Sequence, residues 1–340
     1  MLLLSVVFCV SCTVEPTDTG SNNNSGGGGT TVEKYSITYD KNGATGGTVP
    51  TDGNTYEAGA TVTVSDKGTL VKTGCKFAGW DTSSAAATAV YSAGATFAMG
   101  SANVTLYAVW KPVYTVTYNL NSSSATGTAP TDSSEYAEGD TVTVKTMETE
   151  PTLNNYTFIG WATTADSVNG TYGDGSTFSM GSANVTLYAV WTKFTFTFSS
   201  GVYTTATYTG AETSVTVPGI IKGVSGTIIG ENAFKAKYGL SSVTFGDGIG
   251  IISASAFESC SSLTTVTLPA SITTIGDNAF KSCNSLVTII CSGTTPATLG
   301  TTSLSSAYEL KIYVPTGYTD TYKTAWSAYS SKIDDIANKP

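Results

Sequence analysis

The chain has 340 residues; only 12% of them are charged, with 25 acidic residues against 16 cations. Every cation is Lys, and there is no Arg and no His. Without His, the side chain whose ordinary pKa lies nearest neutral pH is missing, so Ser-His-Asp or Cys-His nucleophiles and His-based metal sites are excluded. Without Arg, the planar fork for phosphate and guanine is missing, and an acidic chain lacking it is a poor partner for nucleic acid. The abundance of Thr, Ser, Gly and Tyr instead points to a β-rich extracellular protein with hydroxyl-covered faces.

In chain order, the first element is an apolar run from Met1 to Ser11, too short to span a bilayer and readable as the core of an export signal. It ends in Cys9-Val10-Ser11-Cys12, which resembles a bacterial lipobox with Cys12 as the lipidated residue. Cys9 stands where Leu is usual, and no Lys precedes the run. A cleaved signal peptide with Cys12 unmodified is the alternative, leaving a secreted protein. Cys9 and Cys12 form a C-x-x-C, but in an apolar leader this carries no metal or redox reading. Residues 13–33 are polar and Gly-rich and read as a tether.

A repeat follows. Thr96-Phe-Ala-Met-Gly-Ser-Ala-Asn-Val-Thr-Leu-Tyr-Ala-Val-Trp110 recurs as Thr177 to Trp191, differing at Ala98 against Ser179; the offset is 191 − 110 = 81. Phe77-Ala-Gly-Trp80 pairs with Phe158-Ile-Gly-Trp161, and Tyr35-Ser-Ile-Thr-Tyr39 with Tyr114-Thr-Val-Thr-Tyr118. Short runs such as Leu106/Ala108/Trp110 alternate apolar and polar residues, as half-buried strands do. Two small β modules are expected, at 34–112 and 113–193. These motifs resemble the internalin B-repeat, or Listeria–Bacteroides repeat. The resemblance implies a β-grasp-like fold on bacterial surfaces, with no catalytic residues, serving as spacer or contributor to binding. Trp80, Trp110, Trp161 and Trp191 recur at matching places; core anchoring is favoured over ligand stacking.

Beyond Phe194 the period changes. Phe234, Phe257 and Phe280 are 257 − 234 = 23 and 280 − 257 = 23 apart. Ile229/Ile252/Ile275, Leu240/Leu263/Leu286 and Val243/Val266/Ile289 keep the same step. Apolar ladders at a fixed step mean stacked coils that bury one another's faces. Leu263-Thr-Thr-Val-Thr-Leu268 is a leucine-rich-repeat strand, and Ile275 to Cys283 reads as turn and convex side. The copies resemble the BspA-like leucine-rich repeat, departing from it at Lys237 and Gly246. Leu310-Lys-Ile-Tyr-Val-Pro315, then Tyr322, Trp326, Tyr329 and Ile333 at helical spacing, resembles that family's closing cap. The family is associated with adhesion on bacterial surfaces. Cys260 and Cys283, also 23 apart, are either a disulfide between coils about 5 Å apart or small buried ladder residues, the second being favoured.

The expected architecture is mainly β: two β-grasp-like repeat modules, then a short leucine-rich-repeat solenoid (194–308) with a C-terminal helical cap (309–340). The outward strand positions Ser242, Thr244, Thr265, Thr267, Thr288 and Ile290 form a hydroxyl-rich face, readable either as a partner surface or as a solvated face chosen for β propensity. The expected function is a non-catalytic surface adhesin without cofactor or metal. It would be lipid-anchored to a bacterial, and by preference outer, membrane. Its partners would be host extracellular-matrix or cell-surface proteins or other bacterial surfaces, with no nucleic acid. A structural spacer is the alternative, and a carbohydrate-binding or carbohydrate-active protein a remote one. Against an enzyme, the acidic residues do not cluster: Glu148 and Glu150 fall in a loop, and Asp334 and Asp335 in the terminal helix.

Overall fold

A computed structural model describes residues 32–205, 208, 210–304 and 309–340. Cys12 and the expected tether up to residue 31 lie outside the described residues. In each module the first and last long strands pair in parallel. Lys34–Asp40 runs beside Val104–Tyr114, which pairs antiparallel with Cys75–Asp81 on its other edge. The second module repeats this with Val116–Asn119, Val185–Thr192 and Thr157–Ala162. A two-stranded ribbon accompanies each sheet, Thr61–Thr63 with Thr96–Ala98 and Thr141–Thr143 with Thr177–Ser179.

The F-x-G-W motif is explained by a bulge. The ladder shifts register between Phe77 and Gly79, and again between Phe158 and Trp161. The glycines stand at φ +133° and +114°, and a Cβ there would meet the carbonyl oxygen of Tyr91 at 2.5 Å or Tyr172 at 2.7 Å. The bulge turns Trp80 and Trp161 fully into the cores. Trp110 and Trp191 are only half-buried; they pack against the cores while their indole N–H groups donate to the carbonyls of Lys41 and Leu120. The core reading thus holds in full for two of the four tryptophans. The Val104–Tyr114 strand runs across the expected boundary at 112 and pairs Val113 and Tyr114 with Ala137 and Tyr136 of the second module. Lys76 bonds Asp140 at 2.8 Å across the same junction.

The solenoid has two walls. One is a fully parallel six-stranded sheet in chain order: Ser214–Val217, Ser242–Phe245, Thr265–Leu268, Thr288–Cys291, Lys311–Val314 and Ile333–Asp335. The other is a second sheet through Thr227–Ile229, Ile249–Ile252, Thr274–Ile275 and Thr298–Leu299, opened by the antiparallel hairpin Phe196–Ser199/Val202–Thr205. The convex side is therefore partly strand, not turn alone. Between the walls Phe234, Phe257 and Phe280 stack nearly parallel, with ring centroids 4.7 and 5.2 Å apart. The N–H of each donates to a carbonyl of the next coil, at 2.8 Å in all three. Asn232, Ser255 and Asn278 take positive φ on the same 23-residue step, which turns the chain before each Ala-Phe pair.

Cys260 and Cys283 are free and buried, each thiol 3.1 Å from the carbonyl oxygen of Phe234 or Phe257. The cap is helical only over Thr319–Ala325, followed by a 3-10 turn over Ser327–Lys332. Tyr322 and Trp326 are buried in it, donating to the carbonyls of Gly293 and Ala297. Ile333, Asp334 and Asp335, expected in the helix, instead form the last parallel strand. The reason is pairing: the Lys311–Val314 edge offers ladder partners that a longer helix would leave unmet.

The solenoid's first coil is docked onto the second module. A hairpin of Ile220–Ile221 and Val224–Ser225 inserts there. Ile221 joins Ile159, Ala162 and Val190 in a small separate core. The Lys222 N–H donates to the Ile159 carbonyl at 2.7 Å, and the Gly223 N–H to that of Gly170 at 2.8 Å. Asn169 Oδ1 accepts from the N–H groups of Gly219 and Ile220. In the first module the positions of Ile159, Ala162, Asn169, Gly170 and Gly173 hold Ala78, Asp81, Thr88, Ala89 and Ser92. The second copy differs where it meets the solenoid. Among the described residues no helix is long and apolar enough to cross a membrane.

Candidate functional site

The parallel sheet places its side chains alternately in and out. Val243, Val266 and Ile289 point inward and are buried. The six outward positions fall into two columns by register: Ser242, Thr265 and Thr288 side by side, and Thr244, Thr267 and Ile290 side by side. Neighbouring strands set a spacing of about 4.8 Å along each column. Thr244 and Thr267 are exposed, and the other four are half-buried by their neighbours. These columns hold hydroxyls and one aliphatic side chain, so their chemistry is neutral hydrogen bonding and apolar contact.

Both columns extend further than the 23-residue ladder indicates. Upstream they continue into Ser214 and Thr216, paired with Ser242 and Thr244. This step is 242 − 214 = 28 because the docking hairpin lengthens the first coil. Ser242 Oγ donates to Ser214 Oγ at 2.7 Å. Downstream the columns continue on the regular step into Lys311 and Tyr313; Tyr313 is buried, and Lys311 brings a charge to that end.

Beside the first strand lies an open groove of about 270 Å3 between the solenoid and the second module. Glu212 bridges Lys193 and the Tyr208 hydroxyl there. Its carboxyl is held down to about 2, first by the Lys193 ammonium and then by Tyr208. Tyr208 is pushed up to about 12 by burial and by Glu212. Of the carboxylates singled out in the sequence, Glu150, Asp334 and Asp335 each have a partner elsewhere. Glu150 pairs with Lys222 at the docking hairpin. Asp334 accepts from Asn338, and Asp335 from Thr316 and the Ala337 N–H.

Residues 35–109 and 114–190 match the Listeria-Bacteroides repeat domain. Residues 221–336 match the BspA type leucine rich repeat region, in six copies. The chain is thus two Listeria-Bacteroides repeats followed by a BspA-type leucine-rich repeat. Neither model covers residues 191–220, which hold the first face strand and most of the groove's solenoid wall. Two relatives come from Evansella cellulosilytica. One, named as a Gly-rich membrane protein, is 34% identical over 162 residues, covering 46% of this chain and 18% of its own length. Another, named as a membrane protein, is 41% identical over 92 residues, covering 27% of this chain and 13% of its own. The chain therefore spans less than a fifth of either relative. No solved structure matches it.

Proposed function

We propose that this chain is a non-catalytic bacterial surface adhesin, anchored through a lipid on Cys12, that binds host or microbial surface proteins through the solenoid's strand face. One observation carries the reading: Ser242, Thr265, Thr288, Thr244, Thr267 and Ile290 lie in two columns on one parallel sheet. Their inward neighbours supply the core, so the outward positions are free to serve recognition. The membrane-protein names of the two relatives agree with an envelope location.

A panel of matrix proteins and a glycan array tests the reading. Saturable binding to a protein supports it. Binding to glycans alone points to a lectin, and binding to nothing leaves the spacer role. That role has its own support in the strand Val104–Tyr114, which runs unbroken from one module into the next, and in the docked hairpin. Mass spectrometry of the mature N-terminus tests the anchor: a diacylated or triacylated Cys12 supports it, and an unmodified one removes it.

A further inference from the structure

The parallel sheet ends upstream in a strand with one open edge. The N–H groups of Ser241 and Ser242 donate to the Thr213 carbonyl, and that of Gly246 to the Val217 carbonyl. In a parallel ladder this fixes which residues face the neighbour: Thr213, Val215 and Val217. The N–H and C=O groups of Ser214 and Thr216 point the other way, and among the described strands none pairs with that edge. Both residues are exposed and line the groove. The edge thus presents two donors and two acceptors in the alternation of an extended backbone.

The opposite wall of the groove comes from the second module: the exposed Tyr156, with Lys193 Nζ 5.7 Å over its ring, and the half-buried Trp191. Lys193 and Glu212 bring one charge of each sign to the same groove. Proteins ordinarily cover or blunt such edges, because unpaired backbone is a template for another strand. The strands Phe196–Ser199, Thr298–Leu299 and Ile333–Asp335 also pair on one side only; what marks the Ser214–Val217 edge is the aromatic-walled groove beside it.

We propose that this groove is a peptide-binding site, in which an extended segment of a partner protein adds as a seventh strand beside Ser214–Val217 and lays alternate side chains against Tyr156 and Trp191. Main-chain hydrogen bonds to Ser214 and Thr216 supply affinity, and the aromatic wall selects apolar or aromatic side chains at every second position. The site is independent of the hydroxyl face: it uses backbone at the sheet's edge, not side chains on its surface.

The test selects a displayed library of random ten-residue peptides on the full-length chain, counter-selected on Thr216→Pro. Proline removes the one edge-facing N–H at that position and no ladder bond, a place where edge strands tolerate it. The expected result is a family of peptides with alternating apolar residues, bound at least tenfold more weakly by Thr216→Pro at unchanged melting temperature. The selected peptide is then N-methylated one residue at a time on the wild-type chain. Methyl groups on every second nitrogen should abolish binding and the intervening ones leave it intact. This arm needs no variant and stands even if Thr216→Pro misfolds. Lysine at Thr265 and Thr267 should leave peptide binding unchanged, which separates this site from the face. No enriched peptides, or binding indifferent to N-methylation, would overturn the proposal; the second outcome would mean the groove takes side chains only.

Discussion

Gly173 sets how closely the solenoid approaches the second module. A Cβ there would stand 2.3 Å from the Lys222 carbonyl oxygen and 2.8 Å from its carbon, both backbone atoms that cannot swing aside. Gly173→Ala therefore pushes the Ile220–Ser225 hairpin outward by about 1 Å to restore ordinary contact. Five backbone N–H groups, those of Gly170, Gly219, Ile220, Lys222 and Gly223, donate across this junction. At about 1 kcal/mol each, with about 2 kcal/mol for burying Ile221, complete undocking costs roughly 7 kcal/mol. A shift of this size weakens the set without erasing it, so the expected loss is about 2–4 kcal/mol. In a unit of this size that lowers the melting temperature by about 5–10 °C. Calorimetry of the intact chain should show module 2 and solenoid melting together in the wild type, and separately or earlier in the variant. Ser92→Ala, the matching exposed site in the first module, serves as control and should change nothing. An unchanged single transition in Gly173→Ala would refute the claim that this contact couples the two units.

Three further outcomes are expected. Phe257→Ala removes the middle ring of the stack and should cost about 3–5 kcal/mol in urea titration; a loss under 1 kcal/mol would mean the coils do not share one core. Residue-resolved alkylation of the native chain should modify the half-buried Cys75 but not Cys260, Cys283 or Cys291, and reductant should leave the melting temperature unchanged; burial also pushes the Cys291 thiol up to about 12, away from the reactive thiolate. Glu212 has a folded-state pKa below its usual 4.5, so its contribution to stability is complete above pH 4.5 and is lost as pH falls toward about 2. Glu212→Gln should flatten the acid limb of stability in that window, and an unaltered limb would show that the Lys193 and Tyr208 contacts do not form in solution.

Much of this architecture was legible in the chain. The 81-residue offset and the 23-residue step report two ways of building a β core, and both family matches agree with them. The Phe257 ladder was readable because every coil must present the same side chain to its neighbours. The start of the hydroxyl columns was not readable. Ser214 and Thr216 belong to them spatially, but the docking hairpin shifts their step to 28 and breaks the period. The second sheet was hidden for another reason: strands of two residues, such as Thr274–Ile275, are too short to show alternation. Ile333 read as helical because its spacing from Tyr322, Trp326 and Tyr329 fits a helix, and spacing alone cannot reveal a waiting strand edge. The docking interface left a signal that comparison of the two copies could have exposed. Asn169, Gly170 and Gly173 replace Thr88, Ala89 and Ser92, but the stretch around them differs between the copies at many other positions, which dilutes that signal.

The central claim is that the strand face engages the partner, and lysine substitution at Thr244, Thr265 and Thr267 tests it most directly. Three ammonium groups on one sheet face would obstruct a protein seated there, while the buried Val243 and Val266 beneath are untouched. Attachment of cells or coated beads to the bound surface protein should fall at least tenfold at unchanged melting temperature. Attachment equal to that of the wild-type chain would contradict the account and leave these threonines as a solvated sheet surface.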